Sequence, residues 1–164
     1  MKTVICPGSF DPVTLGHIDI IERSSKLFDK VIVVVMRNYN KNAGSFTVEE
    51  RVDFLRRCTA HLNNVTVDWY SGLLAEYASL HGASAIVKGL RAVSDFDDEF
   101  RQALANQRLN PDLETVFLTT SAENMFLSSS VVRQVCELGG DISAFVPFQI
   151  REDIVKRLSG KRDI

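Results

Sequence analysis

The sequence predicts an α/β fold: one doubly wound, five-stranded parallel sheet with helices on both faces, and a last helix at the C-terminal end. Three observations lead there. Short β-branched runs alternate with helical stripes along all 164 residues. No repeat, linker or low-complexity run interrupts that alternation, so residues 1–164 read as a single domain. The polar and glycine-bearing segments all follow strands, and in such sheets ligands sit outside the carboxyl ends of the strands.

The elements can be justified in order. Thr3 to Cys6 is a short apolar run that reads as a buried strand. The turn CPGSFDPVTLGH follows, and an amphipathic helix begins at His17-Ile18-Asp19-Ile20-Ile21. Lys30 to Met36 is a continuous β-branched run, as suits a central strand covered on both faces. Beyond a polar loop from Arg37 to Ser45, Thr47-Val48-Glu49-Glu50 is a capping box, with Val48, Val52, Leu55, Thr59 and Leu62 near one helical stripe. Asn64 to Trp69 is the third strand, and Leu73 to Leu80 a short helix closed by Gly82. The fourth strand, Ser84 to Val87, runs into Lys88-Gly89-Leu90-Arg91. Ser94 starts a helix with Asp95, Asp97, Asp98 and Glu99 near its beginning and Phe96, Phe100 and Leu104 as its buried side. Asn110-Pro111 ends it, and Thr115 to Leu118 is the fifth strand. Ser128-Ser129-Ser130 opens a helix that stops before Gly139. Pro147 precedes the last helix, with the stripe Ile150, Ile154, Val155 and Leu158, and a loose tail from Ser159.

Composition narrows the function classes. Hydrophobic residues make up 45% and charged residues 24%, the balance of a globular chain. A net charge of -2 argues against a nucleic-acid-binding face, and no stretch is long enough to span a membrane. Cys6, Cys58 and Cys136 form no CxxC pair, which disfavours a disulfide or metal framework and points to a cytoplasmic location. His61 and His81 sit near helix ends and read as surface residues.

The loops after the strands carry the chemistry. Ser9 to His17, Lys41, Gly72, Lys88 to Arg91 and Ser121 to Ser130 share one rim of the inferred sheet. Neither GxGxxG nor GxxxxGK[ST] occurs, which disfavours a dinucleotide redox fold and a P-loop. His17, Lys41, Lys88, Arg91 and the N-terminus of the Ser128 to Ser130 helix nevertheless converge, as suits a ligand with several phosphates. No Ser, His and Asp set and no metal-ligand cluster stands out. Cations and backbone donors without a nucleophile suit phosphoryl or nucleotidyl transfer, whose catalysis is mostly positioning and charge stabilisation. Plainer readings of the same residues stay open: His17 as a helix cap, Lys41 as a solvated lysine, Ser128 to Ser130 as ordinary capping, and Glu99 as dipole compensation.

Two of these segments carry a resemblance. Thr14-Leu15-Gly16-His17 resembles the T/HxGH signature of the Rossmann-like nucleotidyltransferase superfamily, and Ser128 to Arg133 resembles its SSSxxR signature. The strings PGSFDPVTLGH, KGLRAVSDFDDE and FLSSSVVR together are similar to the bacterial phosphopantetheine adenylyltransferase family over nearly the whole chain. That resemblance implies transfer of AMP from ATP to 4′-phosphopantetheine, giving dephospho-coenzyme A and pyrophosphate, with Mg²⁺ held mainly by phosphates and water, and a homohexamer. It implies His17 as the catalytic residue, stabilising the transition state, and Ser9, Lys41, Leu74 and Lys88 as phosphopantetheine contacts. It implies ATP contacts from Ser9, Phe10, His17, Gly89, Leu90, Arg91 and Glu99, and from Asn124, Met125, Phe126, Leu127, Ser128, Ser129 and Ser130. The chain departs from the family pattern at Lys88, where Arg is common, and at Gly72, Asp98 and Asn124. Rival readings are a sister nucleotidyltransferase acting on nicotinate mononucleotide or glycerol 3-phosphate, and a nucleotide-binding module without turnover.

Overall fold

The computed structural model describes residues 1–37 and 44–160. Its strands are β1 (Thr3–Gly8), β2 (Lys30–Met36), β3 (Val65–Tyr70), β4 (Ala85–Leu90) and β5 (Glu114–Thr119). Its helices are α1 (Leu15–Leu27), α2 (Val48–Thr59), α3 (Leu74–Leu80), α4 (Val93–Leu109), α5 (Ser129–Glu137) and α6 (Phe148–Leu158). All strand pairs are parallel, in the order β3-β2-β1-β4-β5. The predicted five-stranded sheet is therefore the one observed. The sequence reading cut β1 and β4 short, because Pro7-Gly8 and Gly89-Leu90 look like turn material yet continue the ladder. A short 3₁₀ turn at Ala122–Asn124 follows β5, with no signal in the sequence pattern.

Alternation along the strands divides the interior in two. Val4, Cys6, Val31, Val33, Val35 and Val87 face a core shared with Ile21 of α1, Leu55 of α2, Val132 of α5 and Ile150 and Ile154 of α6. Ile5, Ile32, Val34 and Ile86 point the other way, onto Ala75, Tyr77 and Ala78 of α3 and onto Leu113. The continuous β-branched run of β2 is thus explained, since both its faces are covered.

The order of the strands makes a crevice. The chain winds outward from β1 through β2 to β3, then returns to place β4 on the other side of β1. β1 stays in register with β2 as far as Gly8 and Val35. It pairs with β4 only at Val4–Ala85 and Ile5–Ile86. Beyond Ile5 the two strands part, and the gap between their carboxyl ends is the switch point where ligands bind in doubly wound sheets.

Several predicted caps are in place. Thr47 accepts the Glu50 N–H at 3.2 Å, while the Glu50 carboxylate accepts the Thr47 N–H at 2.8 Å. Gly82 and Gly139 lie at φ 61° and 80°, ending α3 and α5 in the left-handed region that favours glycine.

Two stripe assignments are corrected. α4 buries none of its residues, and Phe96, Phe100 and Leu104 are 40–51% exposed. Helical spacing shows that these residues share a face, but not that this chain covers it. Val155 is 39% exposed beside a fully buried Ile154, so the α6 stripe is narrower than the sequence reading made it. Ile154→Ala is accordingly expected to cost about 2–4 kcal/mol of unfolding free energy, through lost burial and a cavity. Val155→Ala is expected to cost less than about 1 kcal/mol. Urea titrations of the two variants check this, and equal losses would contradict the assigned packing.

Candidate active site

The turn after β1 lies at the mouth of the crevice. Phe10 takes φ 47°, a left-handed backbone uncommon for an aromatic residue, and its side chain is only 4% exposed. Its ring lies under Gly8, where an added Cβ would come within 3.0 Å of it. It meets the His17 imidazole edge-to-face at 5.0 Å. The Phe10 side chain is therefore a wall of the site that braces His17.

Thr14 caps α1. Its hydroxyl accepts the His17 N–H at 3.3 Å, and its own N–H donates to His17 Nδ1 at 3.0 Å. This is a capping box with histidine in the place usually held by Glu or Gln. The capping reading of His17 and its placement at the site thus hold together. Because Nδ1 accepts, the ring proton is assigned to Nε2. Burial, and secondarily the positive charge of Arg91, lower the His17 pKa to about 4.

Asp11 gathers three parts of the rim. Its Oδ2 accepts the Ser45 N–H and its Oδ1 the Phe46 N–H, each at 2.9 Å. Arg51 Nε lies 3.5 Å from Oδ1, with both side chains largely buried. Arg51 also donates to Phe46 O at 2.8 Å and to Ser9 O at 3.3 Å. Arg133, the last residue of the SSSxxR string, donates to the Asp11 carbonyl. A Cβ at Gly44 would fall on Asp11 and Arg51, so this close approach requires glycine. From α5, Ser129 Oγ donates to Pro12 O at 2.7 Å, while Ser128 caps the helix by accepting the Val131 N–H at 3.1 Å.

The β4–α4 junction is less positive than the sequence suggested. Lys88 Nζ sits 3.0 Å from Glu99 Oε2, and Arg91 Nε sits 3.2 Å from Asp95 Oδ2. Arg91 also donates to Leu127 O at 2.7 Å, joining this junction to the segment before α5. The acids near the start of α4 thus do more than offset its dipole, because two of them neutralise cations of the rim.

These elements enclose a cavity of about 510 Å³. Of the residues singled out from the sequence, Ser9, Phe10, His17, Lys88, Gly89, Arg91, Glu99, Asn124, Leu127, Ser128 and Ser129 line it. Its lining does not include Leu74, Leu90, Met125, Phe126 or Ser130. Leu74 packs against the second core, Phe126 lies edge-to-face on Phe145, and Ser130 Oγ accepts from Arg133. Lys41 lies outside the described residues. Thr14, Asp95, Gln102 and Thr120 also line the cavity, and the sequence pattern assigns none of them a ligand contact. The Thr-x-x-His spacing and the four-residue offset from Arg91 to Asp95 could have signalled the first two. Asp11 and Arg51 gave no sequence signal, since their contact joins segments far apart in the chain.

Comparison with known proteins accords with this architecture. The cytidylyltransferase-like family model matches residues 5–135, and the chain belongs to that class of nucleotidyltransferase folds. A phosphopantetheine adenylyltransferase of Alkaliphilus oremlandii is 54% identical over 157 residues, covering 96% of this chain and 99% of the relative. One from Clostridium botulinum strain Alaska E43 is 52% identical over 157 residues, covering 96% and 98%. The chain is a member of the phosphopantetheine adenylyltransferase family. The crystal structure of a putative nicotinate-nucleotide adenylyltransferase from Vibrio parahaemolyticus superposes with a TM-score of 0.64, covering 94% of this chain and 99% of that one. At 20% identity that likeness concerns the fold alone.

The depressed His17 pKa has a consequence for stability. Unfolded, an imidazole titrates near 6.5; folded, this one titrates at about 4. The unfolded chain therefore binds the extra proton between those values, and the contribution of neutral His17, full above about pH 6.5, is lost as pH falls toward 4. His17→Asn is expected to flatten the decline of stability over that window, as read by denaturant midpoints at several pH values. Parallel curves for variant and wild type would show that His17 is not held neutral.

Proposed function

We propose that this cavity transfers AMP from ATP to 4′-phosphopantetheine, releasing pyrophosphate and leaving dephospho-coenzyme A. The observation that carries the reading is the location of His17. A neutral histidine with its proton on Nε2 stands at the start of α1, in the crevice between β1 and β4, in a chain whose relatives bear the name of this activity.

The acceptor needs no base. A phosphate monoester has its second pKa near 6 and is largely dianionic at neutral pH. Its oxygen attacks the α-phosphorus while the bond to pyrophosphate breaks. His17 Nε2–H donates to an α-phosphate oxygen as negative charge shifts there. Arg91 and the amides at the start of α5 hold the leaving phosphates. Ser9 and Lys88, which line the cavity, are assigned to the acceptor, and the family resemblance adds Lys41 and Leu74. Phe10, Gly89, Glu99, Asn124, Leu127, Ser128 and Ser129 line the cavity and are assigned, with Ser9 and His17, to the nucleotide; the family resemblance adds Leu90, Met125, Phe126 and Ser130. Among the described residues no three His, Cys, Asp or Glu side chains gather as a metal cage. Mg²⁺ is therefore assigned to the phosphates and water, where it would offset charge on the leaving group. A cytoplasmic site of action is inferred from three free, buried cysteines. No described helix is long and apolar enough to cross a membrane.

Pyrophosphate release from ATP with a panel of phosphate acceptors tests the reading. Turnover is expected with 4′-phosphopantetheine and little with nicotinate mononucleotide; a higher kcat/KM for the latter would overturn the substrate assignment. His17→Ala is expected to lower kcat by about 10²–10³ with substrate binding within a few-fold of wild type, because its donor strengthens in the transition state. A near-normal kcat would leave His17 only as a cap.

We infer a homohexamer from the family resemblance. The exposed stripe Val93, Phe96, Phe100 and Leu104 on α4 supports self-association, since a second copy would cover it. Sedimentation equilibrium is expected to give a multiple of 18.3 kDa and Phe100→Asp to shift it toward the monomer. A wild-type monomer at micromolar concentration would end the proposal.

A further inference from the structure

Both cations of the β4–α4 junction already have a carboxylate. Lys88 Nζ lies 3.0 Å from Glu99 Oε2 and 3.4 Å from Oε1. The same Asp95 oxygen that pairs with the Arg91 guanidinium also accepts the Arg91 backbone N–H at 3.4 Å. Asp95 and Glu99 are one helical turn apart on the side of α4 that lines the cavity. Among the described residues, the buried Glu99 Oε2 has no hydrogen-bond partner, and Lys88 faces it as an ion pair. Neighbouring acids differ. Asp98 is exposed at the cavity edge and pairs with Arg101, while Asp97 is exposed and does not line the cavity.

This arrangement sets a competition. An anion held by Lys88 or Arg91 comes within about 4–6 Å of the carboxylate on the same cation. At the effective dielectric of a partly buried site, repulsion at that distance is of the same order as the attraction to the cation. Positioning works the other way, because the carboxylate also restrains a flexible lysine stem. A phosphate with two charges makes the repulsion the larger effect.

We propose that Glu99, with Asp95 beside it, is an internal counter-ion that holds down the affinity of this cavity for phosphate anions. Lys88 exchanges its carboxylate for the acceptor's phosphate and Arg91 for the phosphates of the nucleotide, and each regains it when product leaves. The device weakens the hold of the cavity on phosphate anions, and it eases product release. It rests on reading the cavity as a phosphate site.

Calorimetric titration with inorganic pyrophosphate tests it. Glu99→Gln is expected to bind pyrophosphate at least tenfold more tightly than wild type, and Asp95→Asn to change in the same direction. Asp97→Asn removes the same charge away from the cavity and is expected to stay within twofold. Adding Lys88→Met to Glu99→Gln should abolish the gain. Unchanged or weaker binding by Glu99→Gln would overturn the proposal and make Glu99 a positioning residue for Lys88. So would an equal gain in Asp97→Asn, or a gain that survives Lys88→Met. Turnover with 4′-phosphopantetheine is measured alongside. Tighter pyrophosphate binding by Glu99→Gln in an enzyme that does not accept phosphopantetheine would sustain the counter-ion and sink the substrate assignment.

Discussion

The rim of this protein depends on one carboxylate. Asp11 receives two backbone N–H groups from residues 45 and 46 and faces Arg51, while its carbonyl receives Arg133. The turn after β1, the chain entering α2, and α5 are thereby held to one point. Each is a loop or a helix end whose backbone groups need partners outside regular structure. A buried ion pair of this kind adds little net stability, but removing one partner of such a pair typically costs about 3–5 kcal/mol. Its value lies in specificity of position, which a site for phosphate transfer needs more than it needs stability.

His17 shows how a structural bond can set a chemical state. The Thr14 N–H that closes the capping box occupies Nδ1, so the tautomer follows from the fold of the helix start. Burial and Arg91 then keep the ring from gaining a second proton. Phe10 fixes its orientation from the side. The same residue is a cap and a poised donor, and the two roles require the same geometry.

The electrostatics of the cavity are a balance of paired charges. The sequence supplies cations that converge on one rim, and helical spacing supplies carboxylates to meet them. Lys88 with Glu99 and Arg91 with Asp95 are local pairs, four to eleven residues apart. Arg91 Nη1 reaches the Leu127 carbonyl, across the mouth of the cavity. Without the acids, this rim would be a general anion trap. With them, its affinity depends on how much charge a ligand brings.

Much of this was legible in the residues. Strand order aside, the β-branched run from Lys30 to Met36 and the Thr47–Glu50 box declared their structures, because both depend on neighbours within one turn or one strand. The Thr14 to His17 and Ser128 to Arg133 strings named the rim, because loops after parallel strands share one end of the sheet. Tertiary structure decided the rest. Whether the Phe96, Phe100 and Leu104 stripe is covered depends on what packs against it, which periodicity does not encode. The parting of β1 from β4 after Ile5 depends on the register of strands some eighty residues apart. The joining of Asp11 to Arg51 and Arg133 brings together residues whose spacing carries no signal, because side chains from distant segments meet only once the sheet has formed.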